Sequence, residues 1–190
     1  MTRRLLIAGV GNIFLGDDGF GVEVARRLAE AGLPDWVHAV DYGIRGMHLA
    51  YDLANGYDAL ILVDATSRGG APGTIYVIEP DLTAVMAHTA TGEAAADQAS
   101  YPLFNAHGMQ PDVVFSMLGL LDAGAREVLV VGCEPASVEY GIGLSAPVAD
   151  AVDEAVRVVL DLVADAAASG EEHHLVAKAK EGSYVPRNSR

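Results

Sequence analysis

The chain has 190 residues, of which 51% are hydrophobic and 20% charged, so it predicts one compact domain and excludes a wholly disordered protein. A formal net charge of −14 repels phosphate backbones and anionic lipids, which argues against nucleic-acid and membrane partners. No apolar run approaches the roughly 20 residues of a membrane span. The only cysteine, Cys133, excludes an intramolecular disulfide and fits a cytoplasmic protein. Because it ends an apolar run, we interpret it as a buried hydrophobic residue.

Short apolar runs alternate with amphipathic segments along most of the chain. This alternation predicts a doubly wound α/β sheet in a single domain over residues 1–168. The periodicity ends there, so residues 169–190 are predicted to be a disordered tail. Strands are predicted at residues 5–10, 36–40, 59–63, 74–78 and 128–131. Helices are predicted at residues 19–31 and 46–55, from residue 111, and from residue 147 with an apolar stripe of Val148, Val152, Val156, Val159 and Val163.

A glycine-rich turn follows the first predicted strand and initially suggests a nucleotide-binding site. The dinucleotide fingerprint needs glycines at its first, third and sixth positions, but the residue in the sixth position here is Phe14. Asp17 and Asp18 then stand at the start of the next helix, where one of them could be a helix cap and both would repel a pyrophosphate. A nucleotide-binding α/β module is therefore the less favoured function.

Carboxylates follow or end three of the predicted strands: Asp17 or Asp18, then Asp41, then Asp64. In an open parallel sheet the strands end on a common edge, where ligands bind, so these carboxylates should lie close together. His107 precedes the helix predicted from residue 111 and has glycine beside it. Two carboxylates and one imidazole suit a divalent metal with open coordination positions. The motifs of serine hydrolases and of zinc metalloproteases are missing from the sequence.

Together these motifs resemble those of the nickel–iron hydrogenase maturation proteases, the endopeptidases that trim the C-terminus of the hydrogenase large subunit. The resemblance extends from about residue 4 to residue 165, and the order and spacing of the motifs carry it. The matching segments are Gly9-Val10-Gly11-Asn12, Asp17-Asp18-Gly19-Phe20-Gly21-Val22, Asp41-Tyr42-Gly43-Ile44-Arg45-Gly46, Val63-Asp64-Ala65, Pro72-Gly73, His107-Gly108-Met109, Val131-Gly132-Cys133-Glu134-Pro135 and Gly143-Leu144-Ser145.

The resemblance implies a three-layer α/β/α fold with a twisted, mostly parallel five-stranded sheet. It also implies a catalytic and metal-engaging site formed by Asp18, Asp64 and His107. The metal would be nickel carried by the substrate, with no permanently bound cofactor, and the partner would be the large-subunit precursor. We expect a monomer, with Asp17 and Asp41 as secondary candidates for orienting ligands or substrate.

The expected activity is removal of the C-terminal extension of this precursor after nickel insertion. Two mechanisms remain open: the metal could polarise the scissile carbonyl or activate water, or a carboxylate could act as general base, as in aspartic peptidases. A non-catalytic chaperone that senses nickel loading is an alternative function, because it would need the same acid–histidine site and would leave the precursor uncut.

Overall fold

The computed structural model describes residues 4–54, 56–80, 127–168 and 175. Its strands are β1 (Leu5–Val10), β2 (Val37–Gly43), β3 (Ala59–Ala65), β4 (Ile75–Ile78) and β5 (Glu127–Cys133). Its helices are α1 (Phe20–Glu30), α2 (Gly46–Ala54) and α3 (Ala146–Ala168), and a 3-10 helix (Gly16–Gly19) precedes α1. No helix in these ranges is long and apolar enough to cross a membrane.

The five strands form one sheet in the order β2-β1-β3-β5-β4. The first three pairings in this order are parallel, and only β4 runs antiparallel to its neighbour β5. The predicted mostly parallel five-stranded sheet is therefore confirmed. The strands β1, β2, β3 and β5 all end on one side, which we call the carboxyl edge of the sheet.

The sheet lies between two helical layers, as expected for a three-layer α/β/α fold. On one face, α1 and α3 bury an apolar cluster with side chains such as Ile7, Ile61 and Val131. On the other face, α2 packs Leu49 and Leu53 against the alternate strand residues. The strands β1 and β3 are almost entirely buried because both of their faces are covered, which explains their uninterrupted apolar sequences.

Helix α1 begins in direct contact with the backbone of the central strands. A Cβ at Gly21 would lie 2.1 Å from the carbonyl oxygen of Val63 and 2.4 Å from that of Val10. Only glycine permits this approach, which fixes the residues before α1 against the end of β3.

Several boundaries differ from the sequence-based expectation. β2 continues to Gly43, so Asp41 lies within the strand and does not end it.

Cys133 is buried, as predicted. Burial raises the pKa of its thiol to about 12, with smaller contributions from Asp17 and Glu134, as expected for an inert thiol. Helix α3 is described as far as Ala168, and Leu175 packs against the core, while the domain limit at residue 168 stays a prediction. The helix predicted from residue 111 lies outside the described residues.

The stripe on α3 includes one residue that is not fully buried. Val152 has no exposed surface, whereas Val156 is only partly buried at the edge of the cluster. The expectation that all five valines are core residues is therefore wrong at this position.

Val152→Ala is expected to destabilise the protein by roughly 2 kcal/mol, because it leaves a cavity between α3 and the sheet. Val156→Ala, which removes the same atoms at a partly exposed position, should cost less than half as much. Chemical denaturation of the two variants measures the difference. Equal losses would show that the two positions are packed alike.

Candidate active site

Asp18 lies in the 3-10 helix that follows the glycine-rich turn. Its Oδ2 accepts a 2.6 Å hydrogen bond from the backbone N–H of Asn12, across the turn. Gly11 makes this geometry possible, since it has a φ of +129° and a Cβ there would lie 1.8 Å from the Asp18 carbonyl oxygen. The turn thus holds the Asp18 carboxylate in place and does not form a phosphate cradle.

Asp64 is the penultimate residue of β3, at the carboxyl edge of the sheet. Asp64 is only 9% exposed, and its Oδ1 accepts a 2.8 Å hydrogen bond from the N–H of Ala65. Burial raises the pKa of Asp64 well above its ordinary value, and the negative charge of Asp18 raises it further. Burial also raises the pKa of Asp18, opposed by the Asn12 hydrogen bond.

Asp18 and Asp64 therefore form a pair of interacting carboxyl groups in a poorly hydrated position. Like charges held together in low dielectric disfavour the doubly ionised state, so such a pair readily holds a proton or a cation. Groups of this kind serve as general acids and bases or as ligands of a divalent metal. The charge of Asp18 acts on Asp64, so these two predicted residues lie at the same edge of the sheet, and their joint role as a metal site stays a prediction.

The third predicted member of the site, His107, lies outside the described residues. Within the part of the chain that the structure describes, no three side chains of the histidine, cysteine and acidic types converge as metal ligands. The carboxylate of Asp41, a secondary candidate, lies 3.4 Å from the guanidinium of Arg26 on α1.

Asp17, the neighbour of Asp18, has a different role from the predicted one. It is 1% exposed, and its carboxylate accepts four hydrogen bonds from the loop that follows β5. The donors are the N–H groups of Ala136 (2.8 Å), Ser137 (3.1 Å) and Ser145 (2.6 Å) and the Ser145 hydroxyl (2.9 Å). Asp17 fastens the 3-10 helix to this loop, and its engaged oxygens leave it no evident role in orienting a substrate.

A third buried carboxylate, Glu134, joins the loops after β3 and β5. It is 5% exposed and accepts hydrogen bonds from the N–H groups of Arg68 (2.8 Å) and Gly69 (3.2 Å). The hydroxyl of Tyr76 also donates to it at 2.8 Å; burial first, and then Glu134, raises the pKa of this tyrosine to about 12. Glu134 thus fixes the backbone on the β5 side of the carboxyl edge.

Sequence reasoning assigned no role to Glu134 or Ser145. Both lie in segments whose similarity to the protease family was visible, Val131–Pro135 and Gly143–Ser145. Their roles depend on contacts between segments that are distant in sequence. Asp17 and Ser145, for example, are 128 positions apart, and no local pattern encodes such a contact.

Asp17 and Asp64 should affect stability in opposite directions as pH changes. The pKa of Asp17 is lowered because its hydrogen bonds outweigh the opposing effect of burial, so Asp17 contributes stability above its ordinary pKa of 3.8. That contribution is lost as pH falls through the folded-state pKa. Asp17→Asn should therefore cost roughly 2 kcal/mol at neutral pH and progressively less in acid.

Asp64→Asn is expected to stabilise the folded protein at neutral pH. The pKa of Asp64 is raised on folding, so its ionised form is disfavoured there and wild type loses stability as pH rises above 3.8. The advantage of the variant should vanish below that pH. Urea denaturation of wild type and both variants between pH 3 and pH 8 tests this, and a destabilised Asp64→Asn at neutral pH would contradict it.

Comparisons with known proteins identify relatives over most of the chain. The family model described as "Hydrogenase maturation protease" matches residues 22–162. The hydrogenase 2 maturation protease of Escherichia coli K12 is 32% identical over 160 residues, which cover 83% of this chain and 88% of that protein. The hydrogenase expression/formation protein HoxM of Azotobacter vinelandii is 30% identical over 181 residues, covering 94% of this chain and 78% of that protein.

Comparison of the fold with solved structures identifies the same family. The solved structure of the hydrogenase maturating endopeptidase HybD from E. coli superimposes with a TM-score of 0.63 at 31% identity, covering 88% of this chain and 94% of that one. Since the family model spans well over half of the chain and the relatives align over most of their own lengths, the chain belongs to the hydrogenase maturation protease family and is a peptidase.

Proposed function

We propose that this protein is the endopeptidase that removes the C-terminal extension of a nickel–iron hydrogenase large-subunit precursor once nickel has been inserted. The observation that carries the proposal is the pair of interacting carboxyl groups, Asp18 and Asp64, at the carboxyl edge of a sheet with this family's fold. The nickel belongs to the substrate, and the protein contributes the groups that engage it.

The electrostatics of the pair support recognition of a loaded precursor. Without a cation, ionisation of Asp64 is opposed by burial and by Asp18. A divalent ion presented by the precursor would offset both penalties, and the imidazole of His107 would add a ligand type that suits nickel. A precursor without nickel would leave two carboxylates repelling each other, so cleavage would depend on metal insertion.

The different environments of the two carboxyls suggest different roles in hydrolysis. Burial raises the pKa of both carboxyls, and the charge of Asp18 raises that of Asp64 further, which makes Asp64 the stronger base of the two. It would take a proton from the attacking water as the oxygen adds to the scissile carbonyl, and return it to the leaving amine as the C–N bond breaks. Asp18, held by the Asn12 N–H, would keep its charge for the cation.

A cytoplasmic monomer remains our expectation for the working form. The alternative of a non-catalytic sensor of nickel loading requires the same site and differs only in outcome, because the sensor would bind the loaded precursor and leave it intact. Cleavage of the precursor therefore decides between the two.

Incubation with nickel-loaded large-subunit precursor should yield two fragments, detected by mass spectrometry, and nickel-free precursor should stay uncut. Asp18→Asn, Asp64→Asn and His107→Ala should each lower the cleavage rate by about 100-fold or more, since each removes a charge, a base or a ligand at the reacting centre.

Asp153→Asn on α3 is the matched control, because it makes the same chemical change at an exposed position, where the carboxylate pairs with Arg27 on α1. It should cut at the wild-type rate. If Asp64→Asn also cut loaded precursor normally, Asp64 would be only a buried strand-end residue and the mechanism would be wrong.

A further inference from the structure

Three large apolar side chains are strongly exposed near the candidate site. The exposed fractions are 57% for Phe14, 94% for Tyr140 and 84% for Ile142. Scattered exposed apolar residues are ordinary on protein surfaces, but a cluster of them commonly marks an interaction site. We call these three residues the apolar rim.

The backbone brings the two parts of the apolar rim beside each other. Leu15 and Gly141 form an isolated parallel bridge, in which the Gly141 N–H donates to the Phe14 carbonyl at 3.0 Å and the Gly16 N–H to the Gly141 carbonyl at 2.9 Å. These two hydrogen bonds hold the backbone of Phe14 next to the segment that contains Tyr140 and Ile142, although Phe14 and Tyr140 are 126 positions apart in the sequence.

The apolar rim is continuous with the candidate active site. Phe14 lies between Asn12, whose N–H binds Asp18, and Asp18 itself; its own N–H is bonded to the Asn12 side chain at 3.0 Å. The loop that carries Tyr140 and Ile142 is fastened on both sides by Asp17, through Ser137 and Ser145. The apolar surface and the reacting carboxyls therefore belong to one firmly connected unit.

We propose that the apolar rim binds the segment of the large-subunit precursor next to the scissile bond, through apolar side chains of that segment; this inference rests on the function proposed above. An endopeptidase must hold the polypeptide beside its reacting groups, and Phe14 belongs to the turn that holds the Asp18 carboxylate. A second copy of the chain is a poorer occupant, because two molecules of net charge −14 repel each other.

The test is the kinetics of cleavage of nickel-loaded precursor by Phe14→Ala, Tyr140→Ala and Ile142→Ala. Each should raise KM about tenfold with kcat nearly unchanged, because the truncations remove uniform binding and leave the carboxyls in place. Tyr51→Ala is the matched control. Tyr51 is 68% exposed on α2, which covers the face of the sheet opposite to α1 and α3, and its truncation should leave KM unchanged.

Binding is also measured without cleavage, by immobilising the Asp64→Asn variant and adding loaded precursor. Loss of affinity when Tyr140 or Ile142 is also substituted supports the proposal even if the wild-type protein does not cut the precursor. In that case only the proposed function fails. Conversely, normal cleavage with unchanged KM and affinity in folded rim variants, checked by their melting temperatures, overturns the proposal and leaves the protease function standing. A wild-type dimer in sedimentation that Tyr140→Ala dissociates also overturns it, in favour of a second copy.

Discussion

The organising constraint in this protein is the close approach of α1 to the ends of β1 and β3. It requires glycine at position 21, where a Cβ would collide with the backbone of both strands, and glycine at position 11, where it would collide with Asp18. As a result the Asp18 carboxyl interacts with the buried carboxyl of Asp64. Glycines that resemble a nucleotide-binding turn in sequence therefore bring two carboxyl groups together here, whereas a nucleotide-binding turn would accommodate an anionic phosphate.

Asp17 and Asp18 show how adjacent residues of one type acquire opposite properties. Asp17 faces four hydrogen-bond donors from the loop after β5, and its pKa is lowered despite its burial. Asp18 accepts a hydrogen bond from the Asn12 N–H, and burial raises its pKa. The first aspartate is a permanent anion that holds two loops together. The second remains available for chemistry because its charge is only partly compensated by the protein.

The sequence was sufficient for the fold and for part of the site. The fully apolar runs of β1 and β3, with helices between the strands, predict a parallel sheet covered on both faces, and the position of Asp64 at a strand end predicts its place at the carboxyl edge. The sequence was insufficient where contacts join distant segments. Nothing local distinguishes Asp17 from Asp18, and the pairing of Leu15 with Gly141 depends on the packing of the loop after β5. Partial exposure of Val156 likewise depends on how α3 packs against the apolar cluster.

A stability cost at the site is consistent with the proposed dependence on loaded substrate. Ionising a buried carboxyl beside another one is unfavourable, and the hydrogen bond from the Ala65 N–H to Asp64 lowers its pKa by less than burial and Asp18 raise it. A protein selected only for stability would replace such a residue, because Asn at this position would keep the hydrogen bond and avoid the charge. Under the proposed function, the free energy withheld from folding would be recovered when a cation binds, so that affinity for a precursor carrying nickel would exceed affinity for one without it. In this arrangement the apolar rim would provide binding common to both forms of the precursor, and the carboxyl pair would provide the discrimination between them.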